Sequence, residues 1–412
     1  MNITIHRGTH QIGGCVTEYE HNGWRLFVDY GEELPGGPKT GDLQVEGLTY
    51  GDLSKSALLI THYHNDHIGN ITKLPEGLPI YIGEVARKIQ LILSDQLKNI
   101  RPEHKNMANL LQNAQIFEAG KDFTFGPFKI KPLTVDHSAF DAYAFRIEAD
   151  GVIVYHTGDF RLHGFRSGRF FDMIKKYVGK VDYVVCEATN IMRKSAASKS
   201  ESALQNDFVS LFKDNKYTVV YLSSTNIDRM FAIYRAALAV GRPFYVDSYQ
   251  KEIMDVIVKS KSMWTNSDLF KYGKYEPIPL MSQRGQFLVN DSFKEVLGKG
   301  YVIAVRSIEK FDKFLEQIPG EKVKVLSMWD GYVKEGTAAY KDNLANSLDG
   351  NYVYMHTSGH IDMEDLRKFF QILQPKAIIP IHTDSPEMFA KQFGDEWHVV
   401  SLNDGQSVSL TE

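Results

Sequence analysis

Short apolar bursts broken by turn formers dominate the first 190 residues, and most of them read as strands. Val16-Thr17-Glu18-Tyr19-Glu20 and Trp24-Arg25-Leu26-Phe27-Val28 flank His21-Asn22-Gly23, which predicts two strands joined by a tight turn. The continuous run Ala57-Leu58-Leu59-Ile60 predicts a buried strand. Further strands are expected at Ile80-Tyr81-Ile82, from Phe128 to Val135, from Ala142 to Glu148, from Val152 to Tyr155 and from Val181 to Cys186. Helical spacing appears from Glu84 to Leu97 and from Phe170 to Val178. After a polar, basic linker from Asn190 to Ser200 the texture changes. Helix and strand alternate: Ser202 to Phe212, Thr218 to Leu222, Ile227 to Val240, Phe244 to Val246, with strands again at Val302 to Val305 and Val323 to Leu326. That alternation predicts βαβ units on a parallel sheet. The tail holds a helix from Met363 to Leu373 and a strand from Ala377 to Ile381, and Asn403-Asp404-Gly405 predicts a hairpin turn. No internal repeat or low-complexity tract is visible.

A chain of 412 residues suggests two or three domains. Its composition is that of a soluble globular protein, with 43% hydrophobic and 24% charged residues. No apolar run approaches the roughly 18–20 residues of a membrane span, and Met1 to Arg7 lacks a signal-peptide layout. The two cysteines, Cys15 and Cys186, are too few for a disulfide scaffold and fit a reducing, cytoplasmic setting. Net charge is −4, which argues against a simple basic nucleic-acid binder. From Asn190 to Tyr354, however, 23 Lys+Arg face 19 Asp+Glu, while the rest of the chain carries 24 against 32. A mildly basic middle segment permits a phosphate-rich partner.

The densest chemistry is Thr61-His62-Tyr63-His64-Asn65-Asp66-His67, directly after the apolar run. Residues two apart on a strand share a face, so His62 and His64 can reach one metal ion. Asp66 and His67, past the strand end, can face a second site. Nitrogen and carboxylate donors suit Zn²⁺, with Mn²⁺ or Fe²⁺ as competitors. Chance would produce such a cluster on the order of once in a thousand chains of this length and composition. Two ions need six or more protein donors. Other candidates stand where strands end: His137 after Leu133-Thr134-Val135-Asp136, Asp159 after Val154 to Gly158, and His382 after Ile378 to Ile381. The Asp159 carboxylate could bridge both ions.

Together these residues resemble the motif series of the metallo-β-lactamase fold: His62-x-His64-x-Asp66-His67, His137, Thr157-Gly158-Asp159-Phe160 and His382. Glu187, ending the strand Val181 to Cys186, is similar to the acidic residue that marks the β-CASP subgroup. His360 in His356-Thr357-Ser358-Gly359-His360 is similar to its second motif and His382 to its third. Ser223-Ser224-Thr225-Asn226-Ile227-Asp228-Arg229 is similar to a Ser-Asn-Ile-x-Arg segment of the ribonuclease J branch. The resemblance covers essentially the whole chain. It implies an α/β architecture: an αββα sandwich formed by residues 1–190 and 355–412, with residues 191–354 as an inserted β-CASP domain of α/β type built on a parallel sheet. It also implies two divalent ions, zinc by preference, one held by His62, His64, His137 and Asp159. The other is held by Asp66, His67, Asp159 and His382, with Asp29 orienting ligands from behind.

The implied reaction is hydrolysis of RNA phosphodiester bonds, exo- or endonucleolytic, by a metal-bridging hydroxide. The implied partner is single-stranded RNA carrying a 5′-monophosphate, and assembly into oligomers is open. His360 is the expected proton donor, oriented by Glu187. Ser358, Ser223 and Ser224 are candidates for gripping phosphates, beside the ordinary role of such residues as helix caps. The chain departs from the branch in places. Glu187 stands where ribonuclease J proteins usually carry Asp. Met281-Ser282-Gln283-Arg284-Gly285-Gln286 only loosely matches a Gly-Ser-Gln-Gly-Glu loop. The sequence stops 30 residues after His382, so the branch's C-terminal domain is not expected, nor are its style of oligomerisation and processive 5′ to 3′ trimming. No aromatic stacking motif is visible, so weak base recognition is expected. A thioester or lactone hydrolase on the same core and a non-catalytic RNA-binding subunit are the competing readings.

Overall fold

The structure, a computed structural model, describes residues 1–193, 197–260 and 268–410; the middle of the linker, 194–196, lies outside the described residues. The chain packs as two compact units. The first comprises residues 1–162, 166–197 and 359–412, and the second residues 163–165 and 198–358.

The first unit is built on two sheets. The seven-stranded sheet runs in the order Gln406–Ser409, Asn2–Arg7, Val16–His21, Trp24–Val28, Ser56–Leu59, Ile80–Ile82, Gln115–Ile116. The six-stranded sheet runs Ala377–Ile381, Tyr183–Glu187, Val152–His156, Ala142–Ala149, Phe128–Val135, Phe123–Phe125. Alternate residues of facing strands meet between them: Ile3, Ile5, Tyr19, Leu26, Val28, Ala57 and Leu59 from one side, Phe128, Ile130, Phe145, Ile147, Val154 and Ile379 from the other. The opposite face of the second sheet is covered by helical segments through Phe170, Ile174, Leu366, Phe369, Phe370, Phe389 and Phe393. The helices Glu84–Leu97 and Glu103–Asn113 bury Val85, Ile89, Ile92, Met107 and Leu111. This layering is the αββα arrangement that the resemblance implied.

The second unit carries a six-stranded sheet in the order Ile278–Pro279, Phe244–Val246, Tyr301–Val305, Tyr217–Tyr221, Val323–Leu326, Val353–Tyr354, and every adjacent pair is parallel. Parallel neighbours need crossover helices, and Ile227–Ala239, Ser248–Lys259 and Glu309–Gln317 are among those that follow its strands. The helix–strand alternation in the sequence is what the sheet required.

Two expectations need correction. Asn403 does close a turn, accepting from the Gln406 N–H at 2.9 Å, but it makes no hairpin. The segment before it bridges Val399 to Ile378 in one sheet, whereas Gln406–Ser409 pairs antiparallel with Asn2–Arg7 in the other. The turn therefore crosses between the layers, a partnership no local signal encodes. The helix at 170–178 is α-helical only at Phe170–Met173 and widens to a π-turn over Ile174–Val178. Gly179, at φ 67°, ends it by donating to the Ile174 carbonyl five residues back at 3.1 Å. Both cysteines are free thiols, as expected, and both are buried.

Candidate metal centre

Five strand ends of the first unit converge on one cluster. Ser56–Leu59 leads through Thr61 and His62 into the short helix Asn65–Ile68, which carries Asp66 and His67. His137 follows Phe128–Val135, Asp159 follows Val152–His156, Glu187 is the last residue of Tyr183–Glu187, and His382 follows Ala377–Ile381. Close approach is paid for in backbone conformation. Asp29 and His382 sit in the left-handed region at φ 62° and 53°, at roughly 1 kcal/mol each for non-glycine residues. Gly31 admits the short helix itself, since a Cβ there would lie 1.7 Å from the Asp66 carbonyl oxygen.

Donor atoms gather in three groups whose members lie within 4.8 Å of one another: His62, His64 and His137; Asp66, His67, Asp159 and His382; and Asp159, Glu187 and His360. In the first group, His62 Nε2 and His137 Nε2 each lie 3.2 Å from His64 Nδ1. The tautomers follow from the outer partners. His137 Nδ1 faces the Gly359 carbonyl at 2.7 Å, so it donates and Nε2 bears the lone pair. Thr61 Oγ1 donates to Asp29 Oδ2 at 2.7 Å and so accepts from His62 Nδ1 at 3.0 Å, which again leaves a lone pair on Nε2. Lone pairs thus crowd one point, an arrangement that a cation relieves. Burial pushes all three imidazoles down, His64 to about 4, so they are neutral at neutral pH.

In the second group, Asp29 fixes His67 by accepting from Nδ1 at 2.7 Å, and Thr189 Oγ1 contacts His382 Nδ1 at 2.7 Å. His382 Nε2 lies 3.2 Å from Asp66 Oδ2 and 3.6 Å from Asp159 Oδ2. His67 Nε2 is 3.2 Å from Asp159 Oδ2 but at no hydrogen-bonding angle. Burial opposes the ionised form of Asp159, but His382, His67 and His360 outweigh it and hold the carboxyl well below its ordinary range. Burial likewise opposes protonation of His67, yet Asp159, Asp29 and Asp66 raise it well above its ordinary value.

Two buried atoms, His67 Nε2 and Asp159 Oδ1, have no hydrogen-bond partner. Each such orphan costs about 1–3 kcal/mol, and a cation would satisfy both. The donor set therefore fits a metal ion. Asp159 faces the second and third groups through Oδ2. The first group consists of three imidazoles, and Asp159 Oδ1 is left unpartnered.

Beside the metal donors, His360 Nδ1 lies 3.0 Å from Glu187 Oε2 and 3.6 Å from Asp159 Oδ2. Glu187 Oε1 accepts from the Phe160 N–H at 2.9 Å, so the carboxylate is held at both oxygens. Burial pulls the His360 imidazole down, but Glu187 and Asp159 outweigh it and keep its pKa above the ordinary value. The three candidate serines belong to the second unit. Ser358 is buried and its carbonyl accepts from His163 Nε2 at 2.7 Å. Ser224 is buried and accepts from Gln250 Nε2 at 3.3 Å, while Ser223 is exposed and pairs with Thr225 Oγ1 at 2.9 Å. Sequence reasoning assigned no role to Thr61, Thr189 or the Gly359 carbonyl, which orient three imidazoles. Only Thr61, inside the histidine cluster, had a local signal.

Residues 52–222 match the model of a beta-lactamase superfamily domain, and residues 351–400 match that of a Zn-dependent metallo-hydrolase RNA specificity domain. Ribonuclease J of Sinorhizobium meliloti is 24% identical over 396 residues, covering 90% of this chain and 65% of that protein. Ribonuclease J of Synechocystis is 23% identical, covering 98% and 64%. The chain thus spans slightly under two thirds of the length of these relatives. A protein of unknown function from Enterococcus faecalis V583 shares the fold, with a TM-score of 0.74 at 18% identity and 99% coverage of both chains. Residues 52–222 thus carry a beta-lactamase superfamily domain. Over most of its length the chain is ribonuclease J-like, and its second matched region is that of an RNA specificity domain. No helix among the described residues is long and apolar enough to cross a membrane.

Proposed function

We propose that this chain is a metal-dependent hydrolase that cleaves phosphodiester bonds of single-stranded RNA. The observation that carries this reading is the Glu187–His360 pair set against Asp159 at the border of the metal donors. Hydrolysis of a small activated ester needs no such proton donor, whereas the leaving 3′ oxygen of a ribonucleotide does. The relatives' name, ribonuclease J, and the RNA specificity model over 351–400 support the same substrate.

His62, His64 and His137 would hold one divalent ion, and Asp66, His67, Asp159 and His382 a second, with Asp159 Oδ1 free to join them. Zinc suits this nitrogen and carboxylate set, with manganese as its competitor. When bound, such ions polarise phosphoryl oxygens and make a coordinated water more acidic. The protein's own residues do the rest. Asp29, Thr61, Thr189 and the Gly359 carbonyl hold the imidazoles in the ligating tautomer. His360, kept protonated by its two carboxylate neighbours, donates from Nε2 to the departing 3′ oxygen, while Glu187 retains Nδ1 and steadies the ring. Ser223, Ser224 and Ser358 remain candidates for substrate phosphates, and a 5′-monophosphate is the end group we expect to be preferred.

Digestion of 5′- and 3′-end-labelled RNA bearing a hydroxyl, monophosphate or triphosphate at the 5′ end tests the proposal. Metal-dependent cleavage lost in Asp66→Ala is the expected result. Turnover confined to thioesters or lactones would overturn it.

A further inference from the structure

Charged side chains are seldom buried without a reason, and three lie against the metal centre without belonging to it. The side chains of Asp136 and Arg161 are 0% exposed and that of Arg166 is 1% exposed. Asp136 directly precedes His137, and Arg161 stands two residues after Asp159. The Asp136 carbonyl accepts from the Arg161 N–H at 2.7 Å, and Asp136 Oδ1 lies 3.3 Å from Arg161 Nε. The other carboxylate oxygen accepts from the Arg166 N–H at 3.1 Å. The Arg166 guanidinium then reaches under the loop, donating to the carbonyls of His137 and Ala139 and lying 5.1 Å from the Phe140 ring centre.

Buried ion pairs contribute little stability over a well-packed apolar replacement, because desolvation offsets the attraction. What this one does is geometric. It ties the loop carrying His137 to the loop carrying Asp159 through both main chain and side chain. We infer that Asp136, Arg161 and Arg166 are positioning residues that set the spacing between His137 and Asp159, and with it the affinity for metal. This rests on the metal-site reading above. An imidazole and a carboxylate on independent loops would have to be ordered by the ion itself, at the cost of binding free energy. Here the order is built in, as with outer residues that orient ligands in other metal sites.

The test is metal affinity. The full chain is stripped with a chelator and titrated with Co²⁺ and with Zn²⁺ against a chromophoric competitor. Arg166→Lys keeps the charge, but its shorter side chain draws the donor away from the His137 and Ala139 carbonyls, both of which Arg166 Nη2 engages. We expect it to weaken binding by about 10- to 100-fold and to alter the Co²⁺ visible spectrum of the three-imidazole group. Millimolar guanidinium should restore part of the affinity in Arg166→Ala, which a purely structural defect would not permit. Asp136→Asn is expected to weaken both ions, since it loosens the His137 loop from the Asp159 loop; should it fail to fold, Arg166→Lys decides. A folded Arg166→Lys protein with wild-type affinity and spectrum would overturn the inference while leaving the metal centre standing. A wild-type chain that binds neither ion would overturn both.

Discussion

Glu187 Oε2 lies 3.0 Å from His360 Nδ1, across 173 residues of sequence, and its other oxygen is held by the Phe160 N–H. A carboxylate anchored in this way orients the imidazole and favours its protonated form. The pair has the geometry of a proton donor and its support, placed one contact away from Asp159.

Replacing His360 with Ala should lower RNA cleavage by about 10²- to 10⁴-fold with metal content unchanged. The same variant should lose far less activity on a p-nitrophenyl phosphodiester, whose leaving group needs no proton. Glu187→Gln should fall between the wild type and His360→Ala. Equal losses on both substrates would remove His360 from the proton-donor role.

Asp29 accepts from the Thr61 N–H at 2.8 Å, the Thr61 hydroxyl at 2.7 Å and His67 Nδ1 at 2.7 Å. Its conversion to Ala leaves two buried donors and an imidazole without their acceptor. Metal affinity should fall by about 10- to 100-fold and folding stability by roughly 1–3 kcal/mol for each donor stranded. Elemental analysis after gel filtration, with chemical denaturation of the metal-free protein, checks both.

The two donor groups should release metal at different pH. His62, His64 and His137 are neutral because burial depresses their pKa, His64 to about 4, so protons compete for them only well below neutrality. His67 is raised instead, so metal binding there must displace a proton, and affinity drops as pH falls below its pKa. Dialysis from pH 8 downward should show loss from the Asp66–His67–Asp159–His382 group first, with the three-imidazole group retaining metal to lower pH. Simultaneous release at pH 6–7 from both groups would contradict these environments.

In the second unit Arg229 and Glu201 pair at 3.0 Å with both side chains 0% exposed, and Arg229 Nη1 also donates to Ser327 Oγ and, at 3.3 Å, to the Met355 carbonyl. Glu201→Ala would leave the guanidinium buried without its carboxylate, which should cost roughly 3–5 kcal/mol. A urea melt with unchanged slope and a lowered midpoint is the expected signature. Replacing both residues with Met should recover much of the loss, because burying the pair carries its own desolvation cost.

Much of the fold was legible because its signals are short-range. The helices Glu84–Leu97 and Met363–Leu373 begin and end where their periodicity does. Most strands lie within a residue or two of the apolar runs that announced them, and the helix–strand alternation after residue 200 foretold a parallel sheet. The histidine cluster was visible because four donors fall within six positions of sequence. Sheet partners were another matter. The turn at Asn403 had a clear local signature and still gave the wrong pairing, since turn chemistry says nothing about which sheet receives the next strand.

By itself the sequence determined most of the elements, the local histidine cluster and, through strand-end placement and family likeness, the distant residues that gather beside it, His137, Asp159, His382, Glu187 and His360. Only the tertiary structure decided how these face one another. It grouped Asp159 Oδ2 with His67 and His382, and it gave Thr61, Thr189 and the Gly359 carbonyl their orienting roles. It also buried Asp136, Arg161 and Arg166 beside the ligands. The physical reason is one of range. Periodicity and turn chemistry act over a few residues, whereas hydrogen bonds, burial and ion pairing depend on which strand ends the packed core brings together.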